Sequence, residues 1–112
     1  MALVEDLFFL VQIKDAAKRA GCGIVFVRSS EELTAQAATS VLAIIDLNAA
    51  ALQPLAAIAT AKSLGLETLA FVPHVQVELR QQALDAGADR VVARSNFARH
   101  LQTALEKLAA AR

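Results

Sequence analysis

Aromatic residues and cysteine are scarce in this sequence. It has no Trp, no Tyr, five Phe and a single cysteine, Cys22. One cysteine cannot form a disulfide within the chain, and we interpret Cys22, which lies between two glycines, as an ordinary core or turn thiol. The few aromatic side chains argue against a flavin site and against the stacking surface of a nucleic-acid binder.

Net charge and long apolar runs are also missing. Lys and Arg number 11 and Asp and Glu number 11, so the formal net charge is zero and no overall field attracts nucleic acid or an anionic membrane surface. No apolar run reaches the roughly 18 residues that a membrane span needs. The first six residues lack the basic start of a secretory signal. These absences predict a cytoplasmic protein with no nucleic-acid and no membrane partner.

Aliphatic residues, by contrast, are abundant. Hydrophobic residues make up 56% of the 112 positions, which is enough for a core of Ala, Val, Leu and Ile and too many for a disordered chain. This length is typical of one domain, so we expect residues 1–112 to form a single domain. The glycines stand singly or as a Gly21-x-Gly23 turn, without the pattern of a phosphate-binding loop.

Strand-like and helix-like patterns alternate along the chain. Short apolar runs predict buried strands, and apolar residues at a period of 3.6 predict helices between and after them. The predicted strands are residues 2–4, 23–27, 41–47, 68–72 and 90–94. This alternation predicts a doubly wound α/β domain, with a five-stranded parallel sheet, helices on both faces and a flavodoxin-like strand order.

Several residues mark the beginnings of predicted helices. Ser29 and Glu32 form a capping-box pattern for the second helix, and Pro54 lies in the first turn of the third. Ser95 is the predicted cap of the last helix. The predicted inner stripe of that helix is Phe97, Leu101, Leu105 and Leu108.

The first predicted helix carries more apolar residues than one face can bury. Phe9 and Ile13 recur at helical spacing and predict the face that packs on the sheet. Leu7, Phe8 and Val11 cannot all be buried with them. We expect an exposed apolar patch that serves as a docking or dimer surface, unless the last helix or neighbouring loops cover it.

Charged side chains stand at the ends of several predicted strands. Glu5 and Asp6 end the first, Asp46 ends the third and Arg94 ends the fifth. Parallel sheets bind ligands beyond the carboxyl ends of their strands, and in the predicted order these ends are neighbours. Clustered carboxylates repel one another unless a cation lies between them, and Mg²⁺ suits carboxylate and water ligands. The cluster favours a metal or phosphoryl site, although a lone Asp at a strand end is often only a turn residue.

Three short segments carry a family resemblance. Residues 3–6 (LVED), 44–48 (IIDLN) and 86–90 (AGADR) are similar, in the same order, to landmarks of the response-regulator receiver family. The resemblance covers essentially the whole chain. It implies the CheY-like fold and a part in two-component signalling.

The resemblance also implies roles for the residues at the strand ends. Asp46 becomes the candidate phosphoacceptor, Asp6 a direct ligand of Mg²⁺ and Glu5 a ligand through water. Asn48 supplies a backbone carbonyl to the same ion. Arg94 becomes the positive partner of the phosphoryl group.

The sequence departs from that family at two strand ends. The family has Thr or Ser where Val72 stands, and valine cannot donate a hydrogen bond to a phosphoryl group. The family's Lys-Pro pair is replaced by Arg94-Ser95, so the charge stays but sits on a larger, planar group. The resemblance therefore implies an atypical receiver, which accepts phosphate on Asp46 or acts as an adaptor without phosphorylation.

Two classes of function follow from these residues. The first is a stand-alone signalling module, not an enzyme, whose output passes through protein contacts because the chain ends at Arg112 without an effector domain. Its partner would be a histidine kinase, a phosphotransfer protein or an adaptor target at the first helix, or a second copy in a homodimer. The alternative is a small Mg²⁺-dependent phosphoryl-transfer enzyme, against which Asn48 counts because such enzymes commonly have a second Asp there. We interpret His74, after the fourth strand, as a neutral loop residue.

Overall fold

Parallel strands alternate with helices in this computed structural model, which describes residues 1–72 and 76–110. The described strands are β1 (Ala2–Leu3), β2 (Leu42–Asp46), β3 (Glu67–Val72) and β4 (Arg90–Ala93). The described α-helices are α1 (Leu7–Ala20), α2 (Ser30–Gln36), α3 (Pro54–Ser63), α4 (Val77–Ala86) and α5 (Arg94–Ala110). The prediction for His74 lies outside the described residues.

The sheet has the order β1-β2-β3-β4, and each neighbouring pair is parallel. The predicted strand at 23–27 lies beside β1 but pairs with it at one bridge only, between Ala2 and Phe26. Val27 N–H donates to Ala2 O and Ala2 N–H donates to Val25 O, both at 2.9 Å. The segment holds the edge position of a flavodoxin-like order. The described sheet nevertheless has four strands rather than five, because β1 is only two residues long and cannot support a longer ladder.

Helices cover the sheet on both faces, as the sequence predicts. One core cluster lies between the sheet and α1 with α5, and includes Phe9, Ile13, Phe97 and Leu101. The other lies between the sheet and α2, α3 and α4, and includes Leu33, Ile58 and Ala83. β2 is buried at every residue, as expected of a strand covered on both faces. No helix of the described residues has the length and apolar character needed to cross a membrane.

The capping signals of α2 and α3 are confirmed. Glu32 N–H donates to Ser29 Oγ at 3.1 Å, and the Glu32 carboxylate accepts from Arg28 N–H at 2.6 Å. The bond from Glu32 N–H satisfies a backbone donor that the start of a helix leaves without an intrahelical partner, and the bond from Arg28, one residue before the cap, fixes the chain that enters the helix. Pro54 is the first residue of α3, where its missing N–H costs nothing.

One detail of the predicted helices is wrong. α5 begins at Arg94, so Ser95 is its second residue and not its cap, because the chain passes from β4 into the helix without a loop. In α4, Val77 is 78% exposed and Ala83 is buried.

Candidate functional site

Asp46 lies at the carboxyl end of β2 and is only 4% exposed. Its Oδ1 accepts a hydrogen bond from Asn48 N–H at 2.9 Å, and its backbone carbonyl accepts from Ala49 N–H at 3.2 Å. An Asp that bonds the backbone two residues ahead closes a tight turn. This turn holds the carboxyl group at the edge of the sheet.

The pKa of Asp46 is raised above its ordinary value. Burial is the largest cause, and the negative charges of Asp6 and Glu5 raise the pKa further. Hydrogen bonds from the backbone N–H groups of Asn48 and Glu5 act in the opposite direction. The charges of Asp6 and Glu5 therefore act on Asp46, as expected from the positions of these acidic residues near the ends of neighbouring strands.

Asp6 caps the first helix as well as facing this edge. Its Oδ1 accepts from Phe8 N–H at 2.7 Å, and its backbone carbonyl accepts from Leu10 N–H at 3.0 Å. Asp6 and Glu5 are exposed and follow Val4, the residue after β1. Because Leu3 pairs in register with Ile45, the acidic pair leaves the sheet beside Asp46.

The oxygen atoms at this edge suit a hard cation. Carboxylate and carbonyl oxygens are the ligands that Mg²⁺ takes, and it commonly binds one or two carboxylates while keeping several waters. Within residues 1–72 and 76–110, no group of three or more His, Cys, Asp or Glu side chains is arranged to hold a metal ion. Asp6, Asp46 and the exposed Asn48 carry oxygen atoms of this kind near the edge, without a group of three carboxylates among them.

Arg94 lies beside the first helix and is exposed. Its Cζ is 4.9 Å from the ring centroid of Phe9 and 5.5 Å from that of Phe8, within the range of cation–π contacts. The one ion pair of the described residues joins Arg90 to Glu67 instead. The predicted phosphate partner thus stacks on aromatic rings and forms no ion pair with Asp46.

Four of the five phenylalanines form a cluster that sequence reasoning missed. Phe9 lies 4.6 Å from Phe71 and 5.8 Å from Phe97 between ring centroids, and Phe71 stacks on Phe97 at 4.2 Å. Phe8 meets Phe9 edge-on at 5.8 Å. Phe71 is the register partner of Asp46, so the cluster adjoins the site. The adjacent phenylalanines after Glu5 and Asp6 are the one local sign of this cluster in the sequence. The contacts with Phe71 and Phe97 depend on tertiary packing.

The predicted apolar patch on the first helix is present. Leu7 is 72% exposed, Phe8 62% and Val11 49%, whereas Phe9 and Ile13 are buried. These three exposed residues, the α1 patch, line a shallow depression of about 530 Å³. The patch adjoins the acidic edge because it begins directly after Asp6.

Val72 is buried at the carboxyl end of β3. Its side chain belongs to the core cluster on the α2–α4 face of the sheet, and it pairs in register with Ala93. Neither side chain carries a hydroxyl group. Neither Val72 nor Ala93 can therefore donate a side-chain hydrogen bond to an anion at this edge.

Comparison with known proteins identifies the fold. No family model matches this sequence, and no curated protein matches it. A response regulator from Thermotoga maritima superposes with a TM-score of 0.76 at 15% identity, over 98% of this chain and 95% of its own. A CheY-like receiver domain protein from Methanospirillum hungatei gives 0.77 at 18%, over 96% and 90%. A response regulator from Burkholderia pseudomallei with a phosphorylated aspartic acid, a calcium ion and citrate gives 0.73 at 19%, over 97% and 69%.

Proposed function

Because this chain has the CheY-like fold of response-regulator receiver domains, we propose that it is an atypical receiver module that accepts a phosphoryl group on Asp46 and signals through protein contacts. A fold alone does not assign a function. The observation that carries the proposal is the buried carboxyl group of Asp46 at the end of a central strand, next to the acidic Glu5 and Asp6.

The proposed reaction is attack by an Asp46 carboxylate oxygen on a phosphoryl group carried by a histidine of a donor protein. The new O–P bond forms as the N–P bond breaks. The electron pair of the broken bond stays on the imidazole nitrogen, which takes up a proton. Asn48 N–H, 2.9 Å from Oδ1, stabilises the ionised carboxylate that this attack requires.

Asp6 and Asp46 would hold Mg²⁺ directly, with Glu5 acting through water and Asn48 through its carbonyl. Bound there, the ion would supply positive charge that offsets the repulsion among the carboxylates and the negative charge of the phosphoryl group. The spare oxygen of Asp6 supports this assignment, since Oδ1 already accepts from Phe8 N–H.

Arg94 and Val72 make the proposed receiver atypical. Arg94 would pair with the phosphoryl group, but its guanidinium rests on the rings of Phe8 and Phe9. Val72 offers no hydroxyl, and a hydrogen bond to a charged group contributes about 1.5–3 kcal/mol. We therefore expect phosphoryl binding without the contribution that a strand-end hydroxyl would make.

The α1 patch is the proposed docking surface for the protein partner. A donor histidine has to reach Asp46, and the patch starts beside Asp6 at the same edge. A histidine kinase or phosphotransfer protein that covers Leu7, Phe8 and Val11 would bring its phosphohistidine to that edge. An adaptor target would use the same apolar surface. Pairing of two copies through the patch is the other outcome, which sedimentation of the purified protein distinguishes.

The alternative is a small phosphoryl-transfer enzyme, which would need an enclosed pocket for a small substrate at the nucleophile. Four cavities lined by described residues lie elsewhere, and none of these four includes Glu5, Asp6 or Asp46. Asn48 also stands where this alternative calls for a second Asp.

Phosphorylation is tested with acetyl phosphate and Mg²⁺, followed by intact mass spectrometry. We expect the mass of one phosphoryl group to be added to the wild-type protein and none to Asp46→Asn. Asp15→Asn, which changes an exposed acid of α1, is the matched control and should keep the adduct. An adduct that persists in Asp46→Asn would place the chemistry elsewhere, and the absence of any adduct would count against the phosphoacceptor role.

A further inference from the structure

We propose that Phe8 couples the chemical state of Asp46 to the α1 patch, an inference that rests on the proposed function. Phe8 is 62% exposed, yet two charged residues of the site hold it. Asp6 accepts its backbone N–H at 2.7 Å, and Arg94 lies 5.5 Å from the centroid of its ring. In the proposed site, a bound cation would interact with the Asp6 carboxylate, and a phosphoryl group on Asp46 would interact with the Arg94 guanidinium.

The backbone contact links Phe8 to the metal position. Asp6 Oδ1 accepts from Phe8 N–H as the cap of α1. A cation bound to the same carboxylate withdraws negative charge from that oxygen, which weakens a charge-assisted hydrogen bond. The first turn of α1 therefore responds to whether the carboxylates hold a cation.

The ring contact links Phe8 to the phosphoryl position. Arg94 follows Ala93, the register partner of Val72 in the strand next to β3. Neighbouring strands lie about 4.8 Å apart, so Arg94 starts roughly two such spacings from the strand of Asp46. An extended arginine side chain can span most of this gap toward a phosphoryl group that projects from Asp46.

The two contacts open to the Arg94 guanidinium, with a phosphoryl group or with an aromatic ring, differ in binding strength. Guanidinium groups bind phosphoryl oxygens through two parallel charge-assisted hydrogen bonds, which exceed a cation–π contact at an exposed ring. Phe9 is 5% exposed and packed on Phe71, so it stays in place when Arg94 leaves. Phe8 is exposed and then keeps only its edge-on ring contact with Phe9, so its ring gains freedom to turn toward solvent or toward a partner.

The consequence is a route from the site to the surface that does not need a strand-end hydroxyl. Val72 has none, but Arg94 and Asp6 both reach the same residue of the α1 patch. Phosphorylation would loosen the Phe8 ring and so change the part of the α1 patch that Phe8 forms, while Leu7 and Val11 keep their places.

A tryptophan reporter tests this coupling, because the native chain has no Trp. Phe8→Trp places the reporter over Arg94, and Val11→Trp places it one turn further along the same exposed face as a matched control. Emission is recorded with Mg²⁺ alone and with Mg²⁺ and beryllofluoride, which mimics an aspartyl phosphate. The Asn48 amide signal, measured by ¹⁵N NMR on the same samples, reports whether the site is occupied.

We expect occupancy to move the emission of the Phe8→Trp protein to longer wavelength, while that of Val11→Trp stays constant. Arg94→Gln in the Phe8→Trp background should give the longer wavelength without any ligand. A shifted Asn48 amide with unchanged emission of the Phe8→Trp protein, equal changes at both reporters, or no effect of Arg94→Gln would each overturn the coupling alone. If the Asn48 amide does not respond to beryllofluoride, the proposed function fails and the coupling fails with it.

Discussion

Asp46 is an ionisable residue that the fold almost completely buries, and its nearest charged neighbours are the acidic Asp6 and Glu5. Its raised pKa means that the ionised form is less favourable in the folded protein than in the unfolded chain. If this position had a purely structural role, a neutral side chain would make the folded protein more stable. Perturbed carboxylates of this kind are concentrated at sites that use the charge.

This reasoning predicts how Asp46→Asn changes stability with pH. The folded-state pKa lies above the ordinary value of 3.8, so the folded protein binds more protons than the unfolded chain between the two pKa values. Stability is therefore lost as pH rises from 3.8 through the raised pKa. Asp46→Asn removes that loss and keeps an acceptor for Asn48 N–H, so its free energy of unfolding should exceed that of the wild type at pH 7.

Urea unfolding followed by circular dichroism at several pH values measures the effect. The advantage of Asp46→Asn should shrink as the pH falls and disappear below 3.8, where the native carboxyl group is also neutral. Asp15→Asn, at an exposed position of α1, should show no comparable gain. A less stable Asp46→Asn at pH 7 would contradict the burial argument.

The neighbouring positions of the three acidic residues could be predicted from the sequence. Asp46 ends β2, and Glu5 and Asp6 follow shortly after β1. Parallel strands bring their carboxyl ends to one edge, so these residues are expected near one another. The position of Arg94 could not be predicted in this way. Its side chain is long enough to contact either an anion at the site or the ring of Phe8. Which contact forms depends on how the helices pack and not on the position of Arg94 after β4.

At the scale of elements, α1 joins the site to the aromatic cluster and carries two very different faces. Phe9 is buried against Phe71 and Phe97, whereas Phe8 lies on the open side of the same turn. The helical period predicts these two faces. It does not predict the cluster, because Phe71 and Phe97 come from elements distant in sequence.

The contrast between the two faces predicts unequal effects of two matching substitutions. Phe97→Ala removes a fully buried ring and should lower the free energy of unfolding by about 3–5 kcal/mol. Phe8→Ala removes an exposed ring, and we expect a change of less than about 1 kcal/mol, mainly from the lost cation–π contact. Chemical denaturation of both variants measures the difference, and equal losses would mean that Phe8 is a core residue.

The start of α2 gives a second prediction at this scale. Ser29 Oγ accepts from Glu32 N–H at 3.1 Å, and loss of such a cap typically costs about 1 kcal/mol. Ser29→Ala should show this loss in thermal or urea unfolding, whereas Ser30→Ala, one residue into the helix, should show much less. The reverse order would place the functional cap at Ser30.

The edge segment 23–27 marks the limit of strand prediction from composition. Its run of Val, Ile and Phe is as strand-like as that of β2, yet only the bridge between Ala2 and Phe26 forms. A strand needs a partner of matching length, and β1 ends at Leu3, before the acidic pair. The pairing of segment 23–27 depends on the length of the neighbouring strand, so it could not be predicted from the sequence of the segment alone.

At the scale of the whole molecule, the sheet separates two core clusters. Alternating strand and helix patterns predict this doubly wound, flavodoxin-like architecture, and the likeness to solved receiver domains confirms it. The prediction succeeds because right-handed crossovers leave few ways to cover both faces of a parallel sheet. The carboxyl edge of the sheet places Asp46 on β2 between the acidic pair on one side and Arg94 on the other.

The most direct test of this account is a titration of the ¹⁵N-labelled wild-type protein with Mg²⁺ and then beryllofluoride, followed by amide NMR. We predict that Mg²⁺ shifts the amides of Glu5, Asp6, Asp46 and Asn48. Beryllofluoride should then extend the shifts to β4 and the start of α5, and Asp46→Asn should abolish this second set. If millimolar Mg²⁺ and beryllofluoride leave these amides unchanged, the metal site and the phosphoacceptor role of Asp46 are both contradicted.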